Sequence, residues 1–463
     1  MSDAISLPAN PFEPYVATPA EPWNLRRAGH LLRRTCFGAN IDRLNATLAL
    51  SPQDAVDRLF DFDPQVDPLN DLLDQLQGYL SFKEIKPVQE WCLYRMLYST
   101  HQLQEKVTLF WHNRFATSAG KVDQPQLMHG QMELFRRQGL GSFRDLLASV
   151  GHDPAMLVWL DGQYNRKGKP NENYAREVME LFTLGIGNYT ETDVKQLARA
   201  FTGWTLGGFK SYFNKQYFDA APKTIFGQTG NFDSDSSVDL LLKQPSAPKF
   251  LARHLLQEFV HPDPPAEAIV HYAHRLLASQ WNVKTVLTEM LGSRLFFSDW
   301  AYRSRIKSPI ELTIGAITAL GGKVNTVFVR EQITKMGQNI LMPPNVKGWD
   351  GGEAWINANT VMLRFNFGQA LATQRNGEFA KKSDLEAWLL KHNLKTSSDI
   401  VDHYATLLLD GHLDPATRST LIAYMDHGTK NEPKPFVLEK QVLNDKVRGL
   451  LHLLMAVPEF QLA

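Results

Sequence analysis

Only two of the 463 residues are cysteine, Cys36 and Cys92, too few for a disulfide scaffold or a cysteine-based zinc site. Both stand in apolar company, Thr-Cys-Phe-Gly and Glu-Trp-Cys-Leu, where buried free thiols are the default and one bridge between them is the alternative. Charge of one sign is lacking too: 49 Lys and Arg balance 49 Asp and Glu, so no excess of cations exists to displace counterions from a phosphate backbone. Nucleic acid is therefore not an expected partner, and the dispersed arginine pairs at 26–27, 33–34 and 136–137 read as helix faces and caps. No run of 18 apolar residues occurs, so no membrane span is expected. The stretch from Met1 to Phe12 has no basic segment leading into an apolar one, so it does not read as a secretory leader. The expected compartment is the cytoplasm, or the periplasm if a leader was removed or export follows a partner. A glycine-rich phosphate loop, a Gly-x-Ser-x-Gly elbow and a Cys-x-x-Cys pair are also missing, which removes the commonest nucleotide, hydrolase and redox signatures.

What remains is a chain that can bury a sizeable core, with 43% hydrophobic and 21% charged residues. Residues 1–22 hold Pro8, Pro11, Pro14, Pro19 and Pro22 without a helical period and read as an extended arm. From Trp23 onward the helical period dominates, which predicts an all-α fold in a single helical domain over 23–463. Capping patterns at Ser51–Asp54, Thr190–Asp193 and Ser383–Glu386 each predict a helix start. A long helix is expected over Pro87–Phe115, with others near 125–138, 172–184 and 191–203. Helices are expected again at about 246–260, 265–279, 283–292, 308–320 and 329–339, and over Leu438–Met455 after a proline break at 433–435. Two stretches lack the period: a glycine- and aromatic-rich insert over 205–233, irregular or a β-ribbon, and a rigid aromatic loop over 341–357.

Three constellations could carry chemistry. On the long helix His101, Glu105, Thr108 and His112 fall on one face, a polar stripe that is a solvent face, a hydrogen-bonded seam between helices, or a site. A carboxylate near an imidazole can hold a metal or move a proton. The second runs from Asn171 to Leu181: Asn173 is placed to cap a helix on which Arg176, Glu177 and Glu180 share a face. One carboxylate must be free for acid–base work, whereas Arg176 and Glu180 at i,i+4 would form an ordinary ion pair. Third, Gly203 ends a helix and sets Trp204 into the insert, where it lines a pocket or plugs the core. Trp349 and Trp355 on the glycine-rich loop could stack on a sugar or another flat ligand, or cap the helical body. His254 with Glu258, and Glu267 with His271 and His274, have metal-ligand spacing without a third ligand and read as surface pairs.

Six blocks together resemble the signature of the bacterial domain of unknown function 1800 family: His30–Gly38, Phe110–Phe115, Asn171–Gly185, Ala198–Trp204, Lys307–Pro309 and Pro343–Trp349. The resemblance spans about 25–460. It implies a largely helical protein, often exported, that partners a sulfatase-like protein of the domain of unknown function 1501 family, and it brings no catalytic residues. Arg114 stands where many relatives have a second histidine, which weakens a metal reading of its block. The side chains themselves suggest an enzyme or metal-binding protein whose pocket gathers Glu105, His112, Arg176, Glu177 and Glu180, with a carboxylate or His112 as base and Arg176 as anion clamp. Asn173, Trp204 and Trp349 would contact substrate, and His112 and Glu177 are the candidate ligands of a divalent metal. The rival is a non-catalytic partner or scaffold of the sulfatase-like protein.

Overall fold

The computed structural model describes residues 7–63, 69, 83–321, 324–373, 389, 392–427, 436–437 and 440–463. Helices α1 (Leu25–Cys36), α2 (Ile41–Leu48) and α3 (Pro52–Leu59) lead to α4 (Ile85–Tyr98) and α5 (Gln102–Arg114). Then come α6 (Pro125–Gln138), α7 (Phe143–His152), α8 (Pro154–Trp159), α9 (Asn173–Glu177) and α10 (Glu191–Ala200). Strands β1 (Trp204–Gly207), β2 (Lys210–Phe213), β3 (Lys223–Ile225) and β4 (Gln228–Gly230) fill the insert. The chain returns to helix in α11 (Ser234–Leu242), α12 (Ser246–Phe259), α13 (Ala266–Ala278), α14 (Val283–Leu291), α15 (Pro309–Leu320) and α16 (Thr326–Lys335). It ends with α17 (Ala358–Thr373), α18 (Ser397–Leu409), α19 (Pro415–Met425) and α20 (Lys440–Ala456). The fold is thus mostly α-helical, and the insert is two separate antiparallel ribbons, β1–β2 and β3–β4. No helix among the described residues is long and apolar enough to cross a membrane.

Two of the three capping patterns act as the sequence predicts. The Asp54 amide donates to Ser51 Oγ at 3.1 Å, and Thr190 and Asp193 cap each other reciprocally at the start of α10. The third, at Ser383–Glu386, and the proline break at 433–435 lie outside the described residues. The single helix expected over Pro87–Phe115 is corrected to two, because Ser99 turns to an extended backbone (ψ 139°). Polar side chains make the break affordable to the backbone: Ser99 Oγ accepts from the His101 amide, and Gln102 Nε2 donates to the carbonyls of Met96 and Ser99.

The described part of the amino-terminal arm, residues 7–22, packs on the body. Amides of Tyr15, Arg294 and Leu295 tie its backbone to the 292–295 turn, and Phe12 stacks on His271 at 4.2 Å. At the other end, Ala463 and Arg305 exchange backbone hydrogen bonds, and the Lys307 amide donates to Gln461 O. An apolar core continues from Tyr15 to Phe460. Cys36 and Cys92 are both buried free thiols, as their neighbours suggest, and burial pushes the Cys92 thiol up to about 12.

Helix α5 lies inside this core: every residue from Gln102 to His112 is buried. The polar stripe is therefore an interior seam and not a solvent face. Glu105 is 1% exposed and sits between two guanidinium groups, accepting from Arg95 Nε at 3.0 Å and from Arg136 Nε and Nη2 at 2.9 and 3.2 Å. His101 stacks on Phe62, and Thr108 Oγ1 donates to the Gln104 carbonyl. Removing one member of a buried ion cluster strands the charge of the others. Glu105→Gln is expected to cost about 3–5 kcal/mol in urea unfolding, with the cleft described below still binding whatever it binds; loss below about 1 kcal/mol would contradict a structural role.

Candidate functional site

Two of the sequence blocks meet at the end of α5. The Leu341 amide donates to His112 Nε2 at 3.2 Å, and the His112 ring lies edge-on to Trp349 with centroids 5.6 Å apart. Next to it, Asn113 holds the loop backbone from both sides: its Oδ1 accepts from the Trp349 amide at 2.8 Å, and its Nδ2 donates to the Trp349 carbonyl at 3.4 Å. Gly348 is required here. Its φ of 84° is left-handed, and a Cβ would collide with the side-chain oxygen and carbonyl of Asn113. The aromatic loop is thereby fixed as a wall, with Trp349 and Trp355 both buried in it.

That wall closes a cleft of about 810 Å³, within the usual range for small-molecule sites. Trp349, Trp355, Phe110 and Phe250 supply its aromatic surface, and the exposed Ile186 stands between Gly185 and Gly187 at its border. A charged cluster lies deeper. Lys106, 1% exposed, pairs with Glu311 and, at 3.1 Å, with Glu258. Arg305 bridges the same two carboxylates at 3.3 and 3.4 Å. Burial pushes the Glu311 carboxyl up, but Arg305 and Lys106 together outweigh it and hold the group well below the ordinary carboxylate range. Both carboxylates thus hold cations in place, and neither is a free base.

Arg114 differs from its neighbours. Its Nη1 lies 2.8 Å from the His254 ring, and among the described residues no carboxylate oxygen is within 4 Å of it. Burial and then the Arg114 charge keep His254 far below the ordinary histidine value, so the ring is neutral and cannot balance the guanidinium. The remaining contribution comes from an irregular helical turn. After α9 the chain widens into a π-helical segment, Val178–Thr183, with the Leu184 amide reaching back to Met179 O. Such turns are rare and frequently sit at functional sites. This one brings Glu180 and Leu181 to the cleft.

Of the residues expected to form one pocket, Glu180 and Trp349 border the cleft. Glu105 and His112 do not: the first belongs to the interior ion cluster, the second lies behind Trp349 with no carboxylate within 4 Å of its ring nitrogens among the described residues. Arg176 is corrected from the expected partner: it pairs with Glu191 at 2.6 Å and Glu172 at 3.3 Å rather than with Glu180, which accepts from the Tyr189 hydroxyl. Glu177 is half-buried, and burial followed by the nearby Glu180 charge raises its carboxyl. Asn173 does not cap its helix; Asn171 Oδ1 accepts from the Asn173 amide instead, and Asn173 Nδ2 donates to Asp161. Trp204 stacks on His152 at 3.9 Å and donates to Ser234, away from the cleft. The i,i+4 spacings are no ligand sets either, since Glu258 faces Lys106 and Arg305, and His271 stacks on Phe12. Among the described residues, no three His, Cys, Asp or Glu side chains are grouped so as to hold a metal ion.

Lys106, Arg114, Arg305 and Glu311 were not among the expected site residues. A signal existed for three of them: Arg114 sits in the Trp-His-Asn-Arg block, and Arg305 and Glu311 flank Lys307–Pro309.

Fold and cleft together define a class, a mostly helical protein with a charged, aromatic-walled cavity where four of its six sequence blocks converge. The chain belongs to the family described as Protein of unknown function (DUF1800), which matches residues 30–462. No curated protein and no solved structure matches the chain.

Gly348→Ala is expected to lower stability by roughly 3 kcal/mol or more in chemical unfolding and to loosen the loop; an unchanged midpoint would show that the Asn113 contact is not tight. A second expectation concerns pH. Burial lowers His112 from its ordinary 6.5 to about 4. Between those values the unfolded chain takes up a proton that the folded chain refuses, so acidification through this window removes stability, on the order of 3 kcal/mol in full. Asp153, pushed up to about 7 by burial, slopes the opposite way, so the comparison of wild type with His112→Gln isolates the histidine. The two proteins should differ less at pH 4 than at pH 7; a constant difference would count against a neutral buried ring.

Proposed function

We propose that the cleft binds an organic ligand made of a flat or pyranose ring bearing an anionic group. The single observation that carries this reading is Arg114. It is a half-buried cation on the cleft whose only close side-chain partner among the described residues is a neutral imidazole. Burial works against its charge, and the carboxylate whose field reaches it, Glu258, is in ion pairs with Lys106 and Arg305 instead; a guanidinium in such surroundings recognises a carboxylate, sulfate or phosphate through paired charge-assisted hydrogen bonds. Around it stand the ring faces that such a ligand needs. Phe250 is part-exposed and offers stacking surface, the buried Trp349 and Trp355 give the apolar wall behind it, and the Lys106–Glu311–Arg305–Glu258 cluster fixes the geometry beneath.

This is a binding reading and assigns no reaction. Within it the roles first expected of Arg176 and His112 are taken over: Arg114 in place of Arg176 as the anion clamp, and His112 as the support behind Trp349.

The test is calorimetric titration of glucuronate oligosaccharides, neutral glucose oligosaccharides and aromatic carboxylates into wild type and Arg114→Gln. Acidic ligands should bind wild type, and the variant should lose at least tenfold in affinity, about 1.4 kcal/mol, while its unfolding midpoint stays near that of wild type. Equal binding of neutral and acidic ligands, or an unaffected variant, would overturn the proposal.

A further inference from the structure

We propose that the β1–β2 hairpin, with the turn beside it at Arg166–Lys169, is a platform that seats the protein on an anionic lipid surface. The hairpin turns through Gly208, whose φ of 64° suits the first central position of a two-residue hairpin turn, and this places Phe209 at its tip. Phe209 is 56% exposed, and Tyr212 and Phe213 on β2 are 48% and 43% exposed. Tyr212 and Phe213, successive on β2, face opposite sides of the ribbon, with Phe213 turned to Trp204 and Phe218; Phe209 and Tyr212 are the more exposed pair, and none of the three lines the cleft.

The charges around them point to the occupant. From Gly203 to Phe218 the chain carries Lys210 and Lys215 and no Asp or Glu. From Gly162 to Asn171 it carries Arg166, Lys167 and Lys169, again with no Asp or Glu. The two segments are joined: the Lys167 amide donates to Tyr217 O at 2.7 Å, the Gly203 amide donates to Asn165 O, and the Arg166 guanidinium lies 4.0 Å from the Tyr217 ring centre. All five cations are exposed, and among the described residues none has a carboxylate oxygen within 4 Å. In a chain whose total charge is balanced, this is a local excess of five.

Phe209 and Lys210 at the hairpin tip, Tyr212 and Phe213 further down β2, and Lys215 with the Arg166–Lys169 turn at the base combine along one ribbon the two chemistries that a bilayer's headgroup region meets. Amphipathic rings settle at the boundary with the acyl chains while cations meet anionic headgroups. A bilayer meets both features with one surface, anionic headgroups for the cations and the acyl boundary for Phe209. No spanning segment is needed, since the platform lies on the membrane.

Co-sedimentation with vesicles tests this. Wild type should bind vesicles of equal parts phosphatidylcholine and phosphatidylglycerol at least about tenfold more tightly than pure phosphatidylcholine, and added salt should weaken it. Two folded surface variants, Phe209→Ser with Tyr212→Ser, and Lys210→Gln with Lys215→Gln, should each bind at least about fivefold more weakly. Their circular dichroism and unfolding midpoints should match wild type, which separates loss of the platform from loss of the fold. Equal binding to both vesicles, no binding to either, or variants that bind as wild type does would overturn the inference. So would capture of polyglutamate by the hairpin without affinity for the vesicles, the outcome expected of an acidic protein partner.

Discussion

Glu105 and Lys106 are neighbours in sequence, opposite in charge and both buried on α5. Successive residues on a helix point in different directions, so each must find its counter-charges on a different side of the core. Glu105 draws in Arg95 of α4 and Arg136 of α6; Lys106 draws in Glu258 of α12 and Glu311 of α15. Four helices are thereby placed about a fifth by charges that tolerate little displacement. The cleft exists because the Lys106 side of this arrangement opens beside Arg305, which the last residues of the chain pin through its backbone.

The helices and their caps were legible because apolar periodicity and hydroxyl–carboxylate pairs are local signals, as at Ser51 and Thr190. The break at Ser99 was not, since the side chains that permit it compete with a helical pattern that continues on either side. The polar stripe of α5 was visible as a stripe, but periodicity cannot say whether a polar face meets water or buried partners. Sequence spacing likewise paired Arg176 with Glu180, whereas the wider π-helical turn moves Glu180 toward the cleft and Arg176 finds Glu191 across a loop. Trp349 was recognisable from its glycine-rich loop. That Arg114 has no ion-pair partner among the described residues was not recognisable, because it is a property of the assembled fold.

Four of the six sequence blocks are parts of one arrangement rather than separate motifs. Phe110–Phe115 supplies Asn113 and Arg114, Pro343–Trp349 supplies the wall that Asn113 grips, Asn171–Gly185 supplies the turn that carries Glu180, and Lys307–Pro309 begins the helix that carries Glu311. A binding site assembled from segments so far apart in sequence keeps its shape only while the core does, which places stability and recognition on the same residues.

Cys92 gives the molecule a built-in clock. Thiolate, not thiol, reacts with alkylating and disulfide reagents, and a sulfur that is both shielded and held near pKa 12 offers almost none of it. Modification of Cys92 from outside must therefore wait until α4 parts from its surroundings, so the rate at which a reagent consumes that sulfur counts excursions of the core around Glu105.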